Sequence, residues 1–457
     1  MSTTDSRPNI LFIFDDQHRF DYVGCAGSDF IDTPNLDRLA ERGVRFTHCC
    51  TNAAVCAPAR IGLATGLQPC HLGSLDNSCY LPLHATTYMQ RLRDHGYRVG
   101  CVGKLDLAKP DPYNGRRGDR PCAFGWGFTH PEECEGKMHA GTVPSPHGPY
   151  GFWLAERGLF ERFHEDYAAR SRTGWVKDAL HDSVLPTEAF EDVYIGDRAA
   201  EWLADVPDDF PWYYFVSFVG PHDPFDPPTE YAERYRGAPM PAPIEDTLEG
   251  KAGWVAERRI ALSDEDTAIA RRQYCGAISA IDDAVGKIMD ALEGRGMLDN
   301  TVVVFASDHG EMLGDHGLYK KSVPYEAALR VPLLIAGPGI AGGRVSDALV
   351  ELIDVNPTLC DLAGLPAQQA IDGRSVGPVL RGERAEHRED VVSALRRFRL
   401  IRTRTHKLIE NYNDRTELYD LTSDPDELHN LADAEPDLRR ELGVRLDARY
   451  MERRWRG

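Results

Sequence analysis

The amino-acid sequence predicts an α/β fold: a large, mostly parallel sheet sandwiched by helices, followed by a small C-terminal antiparallel sheet with one helix. Short apolar runs alternate with helix-like stretches through the first three quarters of the 457 residues. This alternation is typical of parallel strands that are covered by helices on both faces. The clearest runs are residues 10–14, 97–102, 213–219, 302–306 and 331–336.

The pattern changes after about residue 378, where a second unit is expected to begin. The short runs that resemble hairpin strands are residues 400–404, 407–411 and 416–421. A terminal helix is predicted from about Pro436. We therefore divide the chain into a large domain, residues 1–377, and a small α+β subdomain, residues 378–457.

Composition limits the partners and the location of the protein. A net charge of −20 argues against nucleic acid and anionic membranes, because both need a basic surface. The first eight residues are polar and lead directly into an apolar run, so no signal peptide is visible and a cytoplasmic location is expected. The eleven cysteines lack paired metal-site spacing and are expected to be mostly buried thiols.

Charged side chains directly follow four of the apolar runs. They are Asp15 and Asp16, Lys104, His222, and Asp308 with His309. The carboxyl ends of parallel strands line one rim of an open sheet, so these groups are expected to converge on one crevice.

Two of these groups, Asp15-Asp16 and Asp308-His309, indicate a metal site. Paired carboxylates at a strand end repel each other unless a cation neutralises them. Oxygen-rich ligation favours Ca²⁺ or Mg²⁺, and the histidine also allows Mn²⁺. We predict that all four side chains bind one divalent cation.

The most specific pattern in the chain is Cys56-Ala57-Pro58-Ala59-Arg60, followed by Thr65-Gly66. Pro58 suits the first helical position, so Cys56 is expected just before a helix whose free N–H groups attract an anion. Arg60 can hold an anion through two parallel hydrogen bonds. The alternative for a lone cysteine is an ordinary buried thiol, but the complete pattern argues against it.

This pattern resembles the signature of the type I sulfatase family, in the alkaline phosphatase superfamily. There, C-x-P-x-R followed by T-G marks a cysteine that is oxidised to formylglycine. The resemblance extends from Pro8 to Glu427. In the same chain order, further segments around Lys104, His222 and Lys321 resemble family segments, and Tyr325-Glu326 aligns Lys321 rather than Lys320 with the catalytic lysine.

The resemblance implies an alkaline-phosphatase-like fold, with residues 1–377 as the catalytic domain and sulfate monoesters as substrates. A formylglycine-generating enzyme would convert Cys56, whose new oxygen would complete the shell of one cation, Ca²⁺ in first place. The hydrated aldehyde would attack sulfur, His222 or Lys321 would protonate the leaving oxygen, and the second hydroxyl would expel sulfate. The implied catalytic residues are Cys56, Arg60, Lys104, His222 and Lys321.

One position departs from the family pattern. Where the family has a histidine two residues after the first catalytic lysine, this chain has Asp106. Its carboxylate could replace the histidine as a base, or it could bind a substrate hydroxyl or ammonium group, and we favour substrate binding. Asn77 and His316 are weaker candidates on the substrate side. Residues 106–187 form a long, apparently irregular stretch, in which His130, His139 and His147 either line the pocket or face water.

Two other functions remain open at this point. Relatives with the same fold and formylglycine hydrolyse phosphonate monoesters or phosphodiesters. A member with an unmodified cysteine would only bind sulfated glycans. Among sulfate esters, the aromatic-rich residues 106–187 and the habit of the family favour a carbohydrate leaving group, with aryl sulfate and choline sulfate as alternatives.

Overall fold

The computed structural model of the protein describes residues 7–176 and 180–451. The strands of its large sheet are β1 Asn9–Asp16, β2 Gly43–Cys50, β3 Arg98–Gly103, β4 His130–Glu133, β5 Trp212–Pro221, β6 Thr301–Ser307, β7 Arg330–Ala336 and β8 Arg344–Glu351. A second, antiparallel sheet contains β9 Val391–Leu395, β10 Phe398–Arg402, β11 His406–Asn411 and β12 Glu417–Asp420.

The large sheet has the strand order β4-β3-β5-β1-β6-β7-β2-β8. Strand β7 runs antiparallel to both of its neighbours, and the other pairs are parallel. All strands except β7 therefore point the same way, which confirms the predicted mostly parallel sheet.

Most helices of the described residues pack on the two faces of this sheet, and the last helix packs on the small sheet. The helices are α1 Pro34–Arg42, α2 Cys56–Thr65, α3 Tyr88–Asp94, α4 Pro121–Gly125, α5 Lys137–Thr142, α6 Pro149–Glu156, α7 Phe160–Ser171, α8 Glu191–Asp205, α9 Thr229–Tyr235, α10 Gly253–Ala256, α11 Asp264–Gly294, α12 Glu326–Leu329, α13 Val355–Leu362, α14 Gly377–Leu380 and α15 Pro436–Met451. None of these described helices combines the length and the apolar character needed to span a bilayer.

Strand β1 explains why the sheet needs cover on both faces. Ile10, Phe12 and Phe14 pack into one core with residues of α2, α3 and α13. Leu11 and Ile13 point to the opposite face, as alternation along a strand requires, and pack with α1, α8 and α11. All eight residues of β1 are buried, so the centre of the sheet is a rigid support for whatever lies at its edge.

The small sheet has the order β12-β11-β10-β9 and packs on both sides. One face carries Ile401 and Leu408, which contact Leu442 and Leu446 of α15. The other face contributes Phe398 to a core shared with the large domain. The predicted antiparallel sheet with a terminal helix is therefore confirmed. The boundary at 377/378 falls inside α14 and stays a prediction.

Residues 106–187 are more regular than the sequence analysis expected. They contain β4 and four helices, α4 to α7. Pro149 occupies the first turn of α6, where a missing N–H costs nothing. Phe160, Phe163 and Tyr167 of α7 pack into the same core as α8 and α11. Glycine and proline in this stretch mark the ends of short helices.

The fold predicts a steep penalty for a side chain at Gly103, the last residue of β3. Its φ is +99°, and an added Cβ would lie 1.9 Å from the carbonyl oxygen of Ser217 on β5. Gly103→Ala should therefore lose about 3 kcal/mol or more of the free energy of unfolding, measured by urea denaturation.

Gly115→Ala is the matched control. Its φ is +82°, but an added Cβ would meet nothing within 4 Å. Only the backbone penalty of about 1 kcal/mol applies there. Equal losses in the two variants would contradict the close approach of β3 to β5.

Candidate active site

The candidate site lies at the edge of the large sheet where β1, β3, β5 and β6 end. Asp16 ends β1, Lys104 follows β3, and Asp308 follows β6. His222 comes directly after β5. Because β7 runs in the opposite direction, the segment that precedes it reaches the same edge and brings Lys321 there.

Four predicted metal ligands meet at this edge. Each of Asp16, Cys56, Asp308 and His309 offers one ligand atom, and these atoms all lie within 4.8 Å of one another. The Cys56 Sγ lies 3.2 Å from His309 Nε2 and 3.7 Å from Asp16 Oδ1. All four side chains are buried. Such a spread fits one cation with bonds of about 2.0–2.6 Å.

The donor set has the chemistry that a divalent cation requires. His309 Nδ1 donates to the Gly310 carbonyl oxygen at 2.9 Å, which leaves Nε2 free as a ligand. Burial and the neighbouring Asp16 raise the pKa of Asp308 to about 6. A cation bound between the two carboxylates would remove this repulsion. The residues therefore fit a metal ion.

Asp15, the fifth predicted ligand, is not part of this group. Its Oδ2 lies 2.5 Å from His18 Nδ1, and its Oδ1 has no hydrogen-bond partner. The pairing of β1 with β5 shifts register between Phe14 and Asp16, so regular alternation does not fix where these two side chains point. The role of Asp15 as a fifth ligand stays a prediction.

Cys56 is the first residue of α2 and has no exposed surface. The helix thus begins two residues earlier than predicted, and Pro58 lies inside its first turn, where proline is tolerated. Burial and Asp16 oppose ionisation of the thiol, but Lys104 and Lys321 hold the pKa of Cys56 well below its usual range. Asn77 lies beside this helix start, where its Oδ1 accepts the Ala57 N–H at 3.1 Å.

All three nitrogens of the Arg60 guanidinium donate hydrogen bonds to groups of the protein. Its guanidinium donates to Asp308 Oδ2 at 2.8 Å and to Asp16 Oδ2 at 3.1 Å. A third nitrogen donates to the Lys104 carbonyl oxygen at 2.6 Å and to Ser217 Oγ at 2.9 Å. Arg60 is buried and does not line the pocket described below. It therefore orients the ligand carboxylates, and its expected contacts with the modified side chain and a bound sulfate stay predictions.

The other three predicted catalytic residues line a pocket of about 380 Å³. The Lys104 Nζ lies 2.5 Å from Asp16 Oδ2. His222 Nδ1 donates to the Asp223 carbonyl oxygen at 2.6 Å, so its Nε2 accepts a hydrogen bond from Lys321 Nζ. Burial and Lys321 lower the pKa of His222, which keeps the imidazole neutral.

Asp106 lies in the same pocket between two lysines. Its Oδ2 is 3.2 Å from Lys104 Nζ and also contacts Lys109 Nζ. Burial opposes ionisation, but Lys104 and Lys109 hold the pKa of the Asp106 carboxyl well below its usual range. A carboxylate so strongly stabilised in its charged form is a poor proton acceptor. This geometry argues against the base role.

The histidines named in the sequence analysis have different positions. His316 is buried, its Nδ1 lies 2.7 Å from Asp246 Oδ2, and it does not line the pocket. Its left-handed backbone, with φ of +58°, lies in a turn held to Asp246. Its expected contact with the substrate stays a prediction. His139 lines the pocket. His130 is exposed, and His147 packs edge-on against Tyr113.

Gln17, which contacts two residues of the pocket lining, and several lining residues themselves have no signal in the sequence that would predict a role. Gln17 donates to Asp223 Oδ1 at 3.2 Å and accepts from Lys321 Nζ. Its position directly after Asp15-Asp16 is the one available hint. The remaining lining residues with polar side chains are Lys109, Lys137, Thr142, Asp223 and Lys320. They come from loops and helices whose approach depends on the tertiary fold.

Comparison with known proteins identifies the family. The sequence profile of the sulfatase family matches residues 8–365. The chain belongs to the sulfatase family. A second profile, for the C-terminal part of N-sulphoglucosamine sulphohydrolase, matches residues 314–452. This sulfatase is thus a sulfuric ester hydrolase of the alkaline phosphatase superfamily.

The relatives of this sulfatase include enzymes of several named activities. An arylsulfatase of Clostridium perfringens is 29% identical, covering 94% of this chain and 91% of the relative. A choline-sulfatase of Rhizobium meliloti is 31% identical, covering 94% and 83%. The crystal structure of a phosphonate monoester hydrolase of Agrobacterium radiobacter matches with a TM-score of 0.82 at 26% identity, covering 98% of this chain and 96% of that one.

The four clustered ligand residues predict that thermal stability depends on a bound metal ion. A cation at 100 times its dissociation constant adds about 2.7 kcal/mol to the free energy of unfolding. Exhaustive chelation should therefore lower Tm by several degrees, and Ca²⁺ should restore it. Asp308→Ala removes one ligand, since alanine offers no oxygen, and should show a Tm that no longer responds to chelator. A wild-type protein that contains no metal by mass spectrometry and whose Tm is unaffected would rule out the site.

Asp106 generates a second prediction. Asp106→Asn removes the negative charge between Lys104 and Lys109, so the two ammonium groups repel and Lys104 is no longer held in its position between Asp16 and Asp106. We expect kcat/KM for 4-nitrophenyl sulfate to fall by about tenfold or more, without a burst of nitrophenol in stopped-flow measurements. A burst followed by slow turnover would instead identify Asp106 as the base of the second half-reaction.

Proposed function

We propose that this sulfatase hydrolyses a carbohydrate sulfate monoester, with residue 56 in its aldehyde form, formylglycine, as the nucleophile. One divalent cation, Ca²⁺ in first place, would be held by Asp16, residue 56, Asp308 and His309, with Asp15 as a fifth predicted ligand. The main support is that Cys56 Sγ lies within the same 4.8 Å group as the ligand atoms of Asp16, Asp308 and His309. Maturation would require a formylglycine-generating enzyme.

The proposal adds two reactive groups to the site, a divalent cation and the aldehyde of residue 56. A bound cation would lower the pKa of a hydroxyl at residue 56 and balance charge on the sulfuryl oxygens. The aldehyde, once hydrated, would supply the hydroxyl that attacks sulfur and a second one that allows sulfate to leave.

The surrounding residues would position the substrate and move one proton. Lys104, 2.5 Å from Asp16, would also balance charge on the sulfuryl group. Burial disfavours its charged form, but Cys56, Asp223 and Asp16 raise the pKa of Lys321. Lys321 is thus protonated and would donate to the leaving oxygen. His222, neutral and in contact with Lys321 Nζ, would hold that ammonium in place.

The pocket supports a carbohydrate over choline as the leaving group. A quaternary ammonium group needs a carboxylate or an aromatic cage. Asp106 is already paired with Lys104 and Lys109, and Asp223 lies 3.2 Å from Lys320 Nζ. A cationic leaving group would therefore meet lysines. A related protein, 23% identical with a TM-score of 0.78, was crystallised with D-glucosamine-2-N,6-O-disulfate, which agrees with this choice.

We also propose a reducing compartment as the location. The cysteines, all within the described residues, are free thiols. Adjacent Cys49 and Cys50 are buried, and burial raises the pKa of both. Such thiols are inert and persist where disulfide formation is not favoured.

The proposal predicts that Cys56→Ala abolishes turnover of 4-nitrophenyl sulfate, because the variant can form no aldehyde. Cys360→Ala is the matched control: it also removes a buried thiol, but on α13 in the core, and should retain activity. Mass spectrometry of the wild-type Cys56 peptide should detect the aldehyde.

The same assay separates the alternatives. Higher kcat/KM for 4-nitrophenyl phenylphosphonate than for the sulfate would favour the phosphonate hydrolase. An unmodified Cys56, with no turnover of either ester, would leave only binding of sulfated glycans.

A further inference from the structure

The pocket holds more positive charge than one sulfate monoester can balance. Its lining residues include five lysines and two aspartates, Asp106 and Asp223. Lys137 is neutralised by Asp226, 3.0 Å away. The protein as a whole carries −20, so this local excess of cations runs against its general composition. Asp16 contacts Lys104, but it is also a ligand of the proposed cation. With that cation bound, Lys104, Lys109, Lys320 and Lys321 face only two acidic residues of the pocket lining, Asp106 and Asp223, and a substrate with one negative charge leaves part of the excess unused.

Among the pocket lysines that have no role in the proposed reaction, Lys109 is the one whose partner carboxylate also contacts a second lysine. It pairs with Asp106 Oδ2, but the same oxygen also serves Lys104 at 3.2 Å. One carboxylate thus faces two ammonium groups. The Lys109 side chain is 17% exposed, compared with 7% for Lys104, so its ammonium group is accessible from the pocket.

A series of ionic contacts places Lys109 near the residues that are proposed to act on the sulfuryl group, but Lys109 is not one of those residues. The contacts run from Asp16 to Lys104, to Asp106, and then to Lys109. Lys109 is therefore one ionic contact beyond the lysine that adjoins the metal ligands. The ammonium groups of Lys104 and Lys109 both contact Asp106 Oδ2. A substrate group bound at Lys109 would therefore lie close to the sulfuryl group of the same molecule, which Lys104 is proposed to contact.

His139 gives this position a second donor. It lines the same pocket, and its ring makes no hydrogen bond to any residue in the described part of the chain. Burial and Lys109 lower the pKa of His139, so the imidazole is neutral and offers one N–H. An ammonium group beside a free N–H donor is suited to an oxyanion.

We propose that Lys109, with His139, forms a second anion subsite that binds a carboxylate or a second sulfate group on the leaving group of the substrate. The inference rests on the proposed function and narrows it to substrates with two acidic groups. A uronic acid sulfate and a disulfated sugar both meet this description.

The test compares esters that differ by one charge. The ortho, meta and para carboxyphenyl sulfates are each measured against the neutral carboxamidophenyl sulfate of the same geometry. In the wild type, at least one carboxylate should exceed its amide in kcat/KM by about tenfold, the effect of one charge-assisted hydrogen bond. The three phenylene disulfates, measured against the methoxyphenyl sulfates, report whether sulfate is preferred to carboxylate.

Variants then assign the preference to Lys109. In Lys109→Met the ratio of acid to amide should fall to about threefold or less, and in Lys109→Arg most of it should return. Lys287→Met, which removes an exposed lysine paired with Asp197, should keep the wild-type ratio. Using ratios removes any general effect of the substitution on Asp106 or on folding.

Each outcome has one meaning. A preference in either series that is lost in Lys109→Met supports the subsite. No preference in the wild type, or one that survives in Lys109→Met, overturns it, while turnover of the neutral esters leaves the proposed function intact. A wild type with confirmed aldehyde that turns over none of these esters contradicts the proposed function itself.

Discussion

The buried pairing of Arg60 with Asp16 and Asp308 is the constraint on which the site depends. Strands β1 and β6 are neighbours, so the acidic residues at their ends lie side by side without solvent. Two such carboxylates repel each other strongly in a low-dielectric interior. Arg60 contacts both at 2.8 and 3.1 Å. Because Arg60 belongs to the first turns of α2, the same contacts fix the start of that helix, and with it Cys56.

The small C-terminal sheet supports the opposite wall of the pocket. The segment that carries Lys321 continues into Tyr325 and Glu326. Tyr325 donates to Glu417 of β12 at 3.1 Å, and Glu326 accepts from Arg402 of β10 at 3.1 Å. Removing either partner would leave a buried group uncompensated. The subdomain thus acts on the site indirectly, by holding the loop from which Lys321 projects.

The sequence predicted those elements whose residues are apolar on both faces. Strands β1, β3, β5, β6 and β7 are nearly continuous apolar runs, and each was found. Strand β2 was missed because Arg45, Thr47 and His48 interrupt its apolar pattern, and β4 because its four residues are His-Pro-Glu-Glu. The antiparallel direction of β7 also has no signature in its own sequence, since direction depends on the path of the connecting chain.

The site was predictable where a residue directly follows a buried strand or belongs to a specific motif. The first condition identified Asp16, Asp308 and His309, and the second identified Cys56. These four residues lie together in the structure. Asp15 satisfied the same pattern but lies outside the 4.8 Å group, because the sequence does not specify the irregular conformation at the end of β1. Gln17, Lys109 and Asp223 carry no pattern, because their roles arise from contacts between distant segments.

The complete burial of α2 has a consequence for the order of events during synthesis. All ten residues of Cys56–Thr65 are inaccessible once the domain has folded. If residue 56 is modified as we propose, an enzyme that binds this segment as an extended peptide would have to act before the domain folds. Residues 402–427, which hold the Lys321 loop, are synthesised after residues 56–65, so the fold around the thiol is completed only after that segment has been made. In the proposed maturation, folding and modification of Cys56 would therefore compete for the same chain.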